Sequence, residues 1–596
     1  MENQNRLINR GILFFELLFF ATLFLFWGIF YSNHLIQKEQ MQLFLMDWAF
    51  LKSHLAFQGG ITKWLAGFLI QFFFNPWLGA FIYALAIFLL YTVVKKILKN
   101  LNRKVVFMWA FLPAIGYFML LLNDFYYFAG IWATILALTS VLIYMRFNRR
   151  MARAIAGAVL IVANYWLGGG AYLILLTGIT IVEIYQFIPS KSGSAKIPFI
   201  IQLVSGFWFL AFLLPVINHS LVYQTWLQSC ISSVFYKFTA TFPLPGIFVL
   251  LSIPLVIILH LVFARWNKWF NFAGLIVVIV ASGIGLATLP DYSEEEMIMY
   301  DNLVFKKQWE EIIHRAEIKL PEHQTGKVAL SLALAKTGRL TSRIFEFNPS
   351  PDVLFMPSYQ VKGMAPFIAN EPYYYLGLNN FAQMLAMESM ESAPDAAMPV
   401  RAVKRYAETC IINGQYDVAA KFLRLLQRTI FYRKWATEAL SVLSDEAKIE
   451  AYDEWAELRR NMVRDDFYYQ KDQMNFALFS LLRSAPDNKI AYEYLMTNSL
   501  LDKDFDEFLK YIMMYPEMGY TEVPVSFEEA LIYIKTLAPD LPDNVAGITV
   551  SNDVIQRIQG YGAAFGSGGN KNPQSMKNLY GKTYWYYLHF SQTDDK

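Results

Sequence analysis

Apolar runs long enough to cross a bilayer fill the first 290 residues, and they leave such a chain little choice but a bundle of membrane helices. A helical span needs about 20 apolar residues. Runs of that kind lie at 11–33, 76–94, 104–122, 126–145, 152–168, 171–188, 197–217, 244–264 and 270–290, which makes nine expected spans. The stretch holds 6 acidic residues against 19 Lys and Arg, whereas 291–596 holds 42 against 32. The overall charge of +3 therefore hides a basic membrane half and an acidic soluble half. Nucleic-acid binding is disfavoured, because the positive charge sits between apolar runs and forms no continuous face. Two cysteines, Cys230 and Cys410, cannot build a disulfide framework and read as small buried apolar residues.

The basic connectors set orientation. Arg6 and Arg10 precede the first span. Lys95, Lys96, Lys99, Arg103 and Lys104 join the second and third, and Arg146, Arg149, Arg150 and Arg153 the fourth and fifth. Lys191 and Lys196 join the sixth and seventh, Arg265 and Lys268 the eighth and ninth. The alternate connectors hold only Lys38, Lys52, Lys63 and Lys237. The positive-inside rule then places the N-terminus in the cytoplasm and, nine being odd, residues 291–596 outside it. The run 11–33 is too long for a signal h-region and reads as a retained first span. Ile61–Phe74 is apolar but only 14 residues long, which suits a segment lying at the membrane surface within the first outer loop, 34–75.

From Leu289–Pro290 the pattern changes to apolar residues at three- and four-residue spacing. Paired amphipathic helices are expected at 302–318, 326–337, 400–412, 416–430, 434–444, 447–462, 473–484, 490–500 and 504–514. Asn413-Gly414-Gln415-Tyr416 followed by Ala419-Ala420 resembles the intra-repeat turn of tetratricopeptide repeats, with weaker echoes at Thr337-Gly338 and Asp502–Asp506. Their separations are not multiples of 34 residues, so a degenerate α-helical-pair solenoid is expected over 291–545. Five prolines make 344–376 an ordered irregular loop in this reading. Residues 546–596 read as a Gly/Asn-rich flexible segment, at 560–582, and an aromatic tail. The fold class is thus mainly α: a polytopic membrane domain over 1–290 and an extracytoplasmic helical domain.

Two acids, Asp47 in the first outer loop and Asp124 in the short second one, stand among Lys52, His54 and Lys63 on the expected outer face. This arrangement resembles the GT-C superfamily of membrane glycosyltransferases, by motif over about residues 1–130 and by architecture over the whole chain. The resemblance implies transfer of a sugar or related group from a polyprenyl-phosphate-linked donor at the outer leaflet. Asp47 and Asp124 would supply the base or charge partner for the acceptor. Lys52, His54 and Lys63 would meet the leaving phosphate, and Gly168, Gly169 and Gly170 could let backbone amides approach it. No Asp-x-Asp pair is present in this region, so the resemblance does not fix metal dependence and a divalent cation stays admissible. The stretch QLFLMDWAFL with GGITKWLAGFLIQFFFNPWLGAF also resembles a family of multi-pass proteins of Bacteroidota-type bacteria, which implies an inner membrane and a periplasmic C-terminal domain.

Plainer readings stand beside these. Asp47 also fits a helix cap or a partner of Lys52, Asp124 an N-cap, and the triple Gly a tight turn. Glu39 reads as a solvated loop charge and stays outside the site. His34 and His54 read as interfacial hydrogen-bonders. Glu16 and Glu183 lie close enough to the basic edge to reach water or a loop cation. The competing function is a non-catalytic membrane scaffold that binds envelope proteins through 291–545. A transporter fits least, since no internal repeat is visible.

Overall fold

The computed structural model describes residues 2–101, 107–187, 197–231, 234–237, 243–263, 267–356, 367–393, 397–464, 473–569 and 572–591. The chain is mainly helical and divides into two compact units. The first takes in Met1–Tyr292 and the short segment Arg428–Phe431. The second holds Ser293–Ala393, Met398–Gln427 and Tyr432–Lys596.

Five helices of the first unit are long and apolar enough to cross a membrane: Gly11–Phe30, Pro76–Leu101, Arg150–Tyr185, Pro198–Leu221 and Leu244–Val262. Met108–Leu121, Ala129–Tyr144, Phe272–Leu286 and Gly60–Phe74 are apolar but shorter. The expected fifth and sixth spans form one stretch, Arg150–Gly168 and Tyr172–Phe187, joined by a single 3-10 turn at Gly169–Ala171. The two helices pack on one another, so the chain reverses at that turn. Of the basic connectors, 102–106, 188–196 and 264–266 lie outside the described residues. The unit is apolar on its outside as well as within. Phe209 and Phe248 are each 68% exposed, while Trp27, Ile87, Leu90 and Ala133 are fully buried. Such an exterior suits lipid and not water.

Two carboxylates, the half-buried Glu16 and the buried Glu183, tie the helices at the basic edge. Glu16 accepts a hydrogen bond from Tyr91 Oη at 2.7 Å and pairs with Lys95. Glu183 accepts one from Tyr144 Oη at 2.6 Å and lies 3.2 Å from Arg153 Nη2. Both find the connector-side cation expected of them, because a lone charge in hydrocarbon costs several kcal/mol.

The second unit repeats one local device. A helix ends in a left-handed residue, and the N–H of the residue directly after it bonds five residues back. Gln308 N donates to Leu303 O, Arg339 N to Leu334 O, Leu378 N to Tyr373 O, Gln415 N to Cys410 O and Asp504 N to Ser499 O, at 2.7–2.9 Å. The left-handed residues are Lys307, Gly338, Gly377, Gly414 and Lys503. This closes the orphan carbonyls of the helix C-terminus and turns the chain into a following antiparallel partner. The first four turns are 31, 39 and 37 residues apart. The helix expected over 302–318 is accordingly two, Tyr292–Phe305 and Trp309–Ile318.

Consecutive helices pack on each other, but the later ones also return to the earlier ones. Lys489–Leu501 packs on Gln324–Lys336, Leu340–Arg343 and Phe367–Leu376, and Val525–Leu537 packs on Leu340–Arg343. An open stack has neighbour contacts only; this unit folds back on itself.

Two segments expected to be irregular form helices. Phe367–Leu376 is a buried helix despite Pro372, since Tyr373, Tyr374 and Tyr375 bury their rings and Arg405 stacks 3.6 Å from the centre of the Tyr374 ring. Residues 357–366 of that segment lie outside the described residues. The expected flexible stretch forms Asn552–Gly566 and Pro573–Tyr580, the latter capped by Asn572 Oδ1 accepting from Ser575 N at 3.1 Å. Tyr584–Phe590 then buries Tyr584 and Trp585 fully. In Asn552–Gly566, burial of Val554 and Tyr561 outweighs the cost of ordering its glycines.

A buried ionic cluster joins three helices of this unit. Arg401 pairs with Asp301 and lies 3.6 Å from Glu371. Arg405 donates to Glu371 at 2.7 Å and to Glu408 at 2.9 Å. Nothing in sequence spacing announces these pairings, whose members come from 301, 371 and 401–408.

Candidate functional site

The first long helix ends in a turn of π-helix, Phe26–Phe30, before Ser32–Gln40 begins. A π-turn inserts an extra residue and re-aims the chain beyond it. Here it brings a polar helix into a largely apolar unit. His34, Gln37, Glu39 and Gln40 are all buried. Glu39 is therefore not the solvated loop charge its Lys38 neighbour suggested; the burial of this helix overrides that local pattern.

The other wall is the turn that carries Asp124. Residues 125–127 pair with 235–237 in an antiparallel bridge: Tyr127 N donates to Phe235 O and Lys237 N to Phe125 O, each at 2.8 Å. This fixes the turn beside Ser32–Gln40. His34 Nε2 lies 3.4 Å from Asp124 Oδ1, and Lys38 Nζ lies 3.0 Å from the same oxygen. Lys38 also donates to the Asp124 backbone carbonyl at 3.3 Å. The rings of Tyr31 and Trp27 sit 5.2 and 6.0 Å from the imidazole.

The electrostatics follow from that packing. Burial pushes His34 down to about 4, the Asp124 charge opposing and Lys38 and Lys237 adding to the shift. Burial works against the ionised form of Asp124, but Lys38, His34 and Lys237 outweigh it and hold the carboxyl well below the usual carboxylate range. The cluster is a fixed anion, a neutral imidazole and two lysines. It can hold and orient a hydroxyl or an anionic group, and it makes Asp124 a weak proton acceptor.

Asp47 has a separate set of partners. Its Oδ1 accepts from Phe50 N at 2.8 Å and caps the helix Trp48–Leu55. Its Oδ2 accepts from Arg428 Nε at 2.6 Å, an arginine 381 residues later in the same unit. Arg428 O accepts from Met46 N at 2.7 Å. Phe431 stacks on Phe74, ring centres 5.0 Å apart. Slight burial favours the neutral acid, and the Phe50 N–H and Arg428 overcome it, so Asp47 too lies below its ordinary value. Among the described contacts, Asp47 and Asp124 share no partner. Asp47 is a helix cap, with Arg428 in the place expected of Lys52.

The remaining site residues divide. Lys63 Nζ lies 4.9 Å from the centre of the Tyr127 ring, three residues beyond Asp124. His54 Nδ1 lies 2.8 Å from Phe50 O, and burial, then Lys63, lower it against that bond. Lys52 is exposed on the helix Trp48–Leu55. Gly168, Gly169 and Gly170 are buried. Gly169 holds φ 55° at the reversal, a conformation that favours glycine. A Cβ on Gly170 would stand 2.3 Å from Ile231 O, so its open side is filled by backbone. The turn also accepts Gly59 N on Trp166 O at 2.7 Å. These glycines serve close packing in the arrangement observed. Cys410 is buried and Cys230 half-buried, both as free thiols. Among the described residues, no group of three or more His, Cys, Asp or Glu is placed to hold a metal ion.

The fold and this cluster together define a mainly helical protein whose apolar unit carries membrane-length helices and a polar cluster around Asp124. The chain belongs to the family of unknown function DUF6057, whose sequence profile matches residues 6–591. No curated protein and no solved structure matches it.

Proposed function

We propose that the protein is a membrane-bound transferase that moves a sugar or related group from a polyprenyl-phosphate-linked donor, with Asp124 at its centre. In this reading the apolar runs make nine spans of a bacterial inner membrane, with the N-terminus in the cytoplasm. Asp124 and the helical half then lie on the periplasmic side. The observation that carries it is the Asp124 cluster: a partly exposed carboxylate held by His34 and Lys38 within an apolar unit. Buried charge is costly to keep, and an intramembrane or membrane-edge acid with built partners marks a functional site. Lys63 beside Tyr127 keeps a cation near for phosphate.

Two substitutions test this. Asp124→Asn is expected to abolish a glycan or glycolipid product in cells lacking the native copy, at normal protein level. Asp47→Asn is expected to leave it intact, because asparagine caps the helix as aspartate does and an exposed ion pair contributes at most about 1 kcal/mol. Unchanged product in both variants would dismiss the transferase.

A second reading has its own observation. The helical hairpins of the second unit expose Met384, Met387, Phe476 and Met513. A scaffold that binds an envelope protein would use such positions, and it would lose function on deletion of 291–596 while tolerating Asp124→Asn.

A further inference from the structure

Four arginines, Arg146, Arg149, Arg150 and Arg153, stand within eight residues at the start of the helix Arg150–Gly168. From 125 to 290 the sequence holds one acid, Glu183, and Arg153 takes it at 3.2 Å. Arg146, Arg149 and Arg150 are exposed, and among the described residues none of them has an ion pair. The helix dipole adds to their charge, since no acid lies in the first turn and Arg149 makes no side-chain cap. Arg150 is nonetheless held in place, its guanidinium 5.1 Å from the centre of the Phe199 ring on the helix Ile197–Leu221. Beyond the arginines, Met151, Ile155, Val159 and Val162 are 43–73% exposed. The helical repeat lays these four on one face. From Met151 to Val162 that face runs about 17 Å, half the depth of a bilayer core of about 30 Å. A general bias of basic connectors explains the positive sign. It does not explain a stacked arginine and three charges without an anion at the head of an exposed apolar stripe.

We propose that Arg149 and Arg150, with Arg146 beside them, hold the phosphate of an anionic phospholipid whose acyl chain lies along the Met151–Val162 face. The chain supplies no anion here, so the counter-charge comes from outside it. Guanidinium groups bind phosphate through paired N–H donors. Soluble phosphate would answer the charge and leave the apolar face to some other molecule, whereas a phospholipid covers both. A zwitterionic lipid brings its own ammonium, which these arginines repel, so the negative headgroup is preferred. This assignment needs the apolar unit to sit in a bilayer and does not depend on sugar transfer or on Asp124.

The test uses the full chain in detergent, with dioleoylphosphatidylglycerol and dioleoylphosphatidylcholine as probes. Native mass spectrometry is expected to show phosphatidylglycerol retained in preference to phosphatidylcholine. Arg149→Gln with Arg150→Gln is expected to lower that retention about 30-fold, the scale of two basic residues at an anionic headgroup, and to leave phosphatidylcholine unchanged. Lys96→Gln with Lys99→Gln, at two exposed lysines of another basic connector, is expected to change neither. A phosphatidylglycerol with a photoactivatable acyl chain is expected to label the stretch 151–162. Equal retention of the two lipids, or equal loss from the lysine pair, would reduce the cluster to a general basic face. Displacement of the lipid by inorganic phosphate alone would make it a soluble-anion site. Either result overturns the assignment, as does labelling confined to other helices.

Discussion

Raising the pH from 5 to 8 is expected to loosen the second unit by several kcal/mol. Two buried glutamates carry the effect. Glu493 accepts the Leu340 N–H at 3.1 Å, and Glu529 accepts the Tyr584 N–H at 2.7 Å. Burial pushes both up to about 7, against the Leu340 N–H and Lys489 for Glu493, and against the Tyr584 N–H and Arg557 for Glu529. The folded state thus binds their protons more tightly than the unfolded state does. The stability they contribute is fully present below their ordinary range, near 4.5, and is lost as pH rises through about 7. Each shift corresponds to about 3 kcal/mol. Against a typical stability of about 5–15 kcal/mol that loss is large. The measurement is hydrogen-exchange protection of the helices Lys489–Leu501 and Tyr584–Phe590 at the two pH values. Glu493→Gln and Glu529→Gln should each flatten the dependence, since the amide oxygen still accepts the same N–H. Equal protection at pH 5 and 8 in the parent chain would refute the explanation.

Arg405→Leu is expected to cost about 3–5 kcal/mol, the scale for removing one partner of a buried ion pair. The loss has two parts. Glu371, 1% exposed, is left with Arg401 Nη2 at 3.6 Å as its remaining cation. Tyr374 loses a guanidinium stacked on its face. Glu408 keeps Lys404, so the damage centres on Glu371. Arg405→Lys should recover little, because an ammonium neither spans two carboxylates nor stacks as a planar fork does. Adding Glu371→Leu to Arg405→Leu should restore part of the stability, since no unpaired charge is then buried. Thermal unfolding followed at helices of the second unit distinguishes these outcomes. A double variant worse than the single one would show that packing around Tyr374, and not charge, sets the cost.

Much of the second unit is legible in residue spacing. The helices at 400–412, 473–484, 490–500 and 504–514 form within about two residues of their expected ends. Gly338 and Gly414 announce their turns because glycine adopts the left-handed conformation at no steric cost. Lys307 adopts it too, with φ 56°, and lysine gives no such signal. That turn is invisible in the sequence, and with it the near-regular spacing of the first four. The candidate site is legible only in part. Acid scarcity singles out Asp124, and nothing local can link it to His34, which lies 90 residues earlier on the helix that follows a π-turn. Asp47 draws attention for the same reason, but its partner Arg428 lies in another part of the chain, where no pattern points back to it. Burial likewise reverses the reading of Glu39: charge next to charge looks solvated until a helix is packed over it.

The return of the later helices onto the earlier ones has a consequence for biosynthesis. An open stack can settle turn by turn as it leaves the ribosome. Here Trp585 donates to the Glu529 backbone carbonyl and Tyr584 to that of Leu500, so the plug that completes the core is made after everything it seals. The nascent half must wait, partly assembled, until its final aromatic cluster emerges.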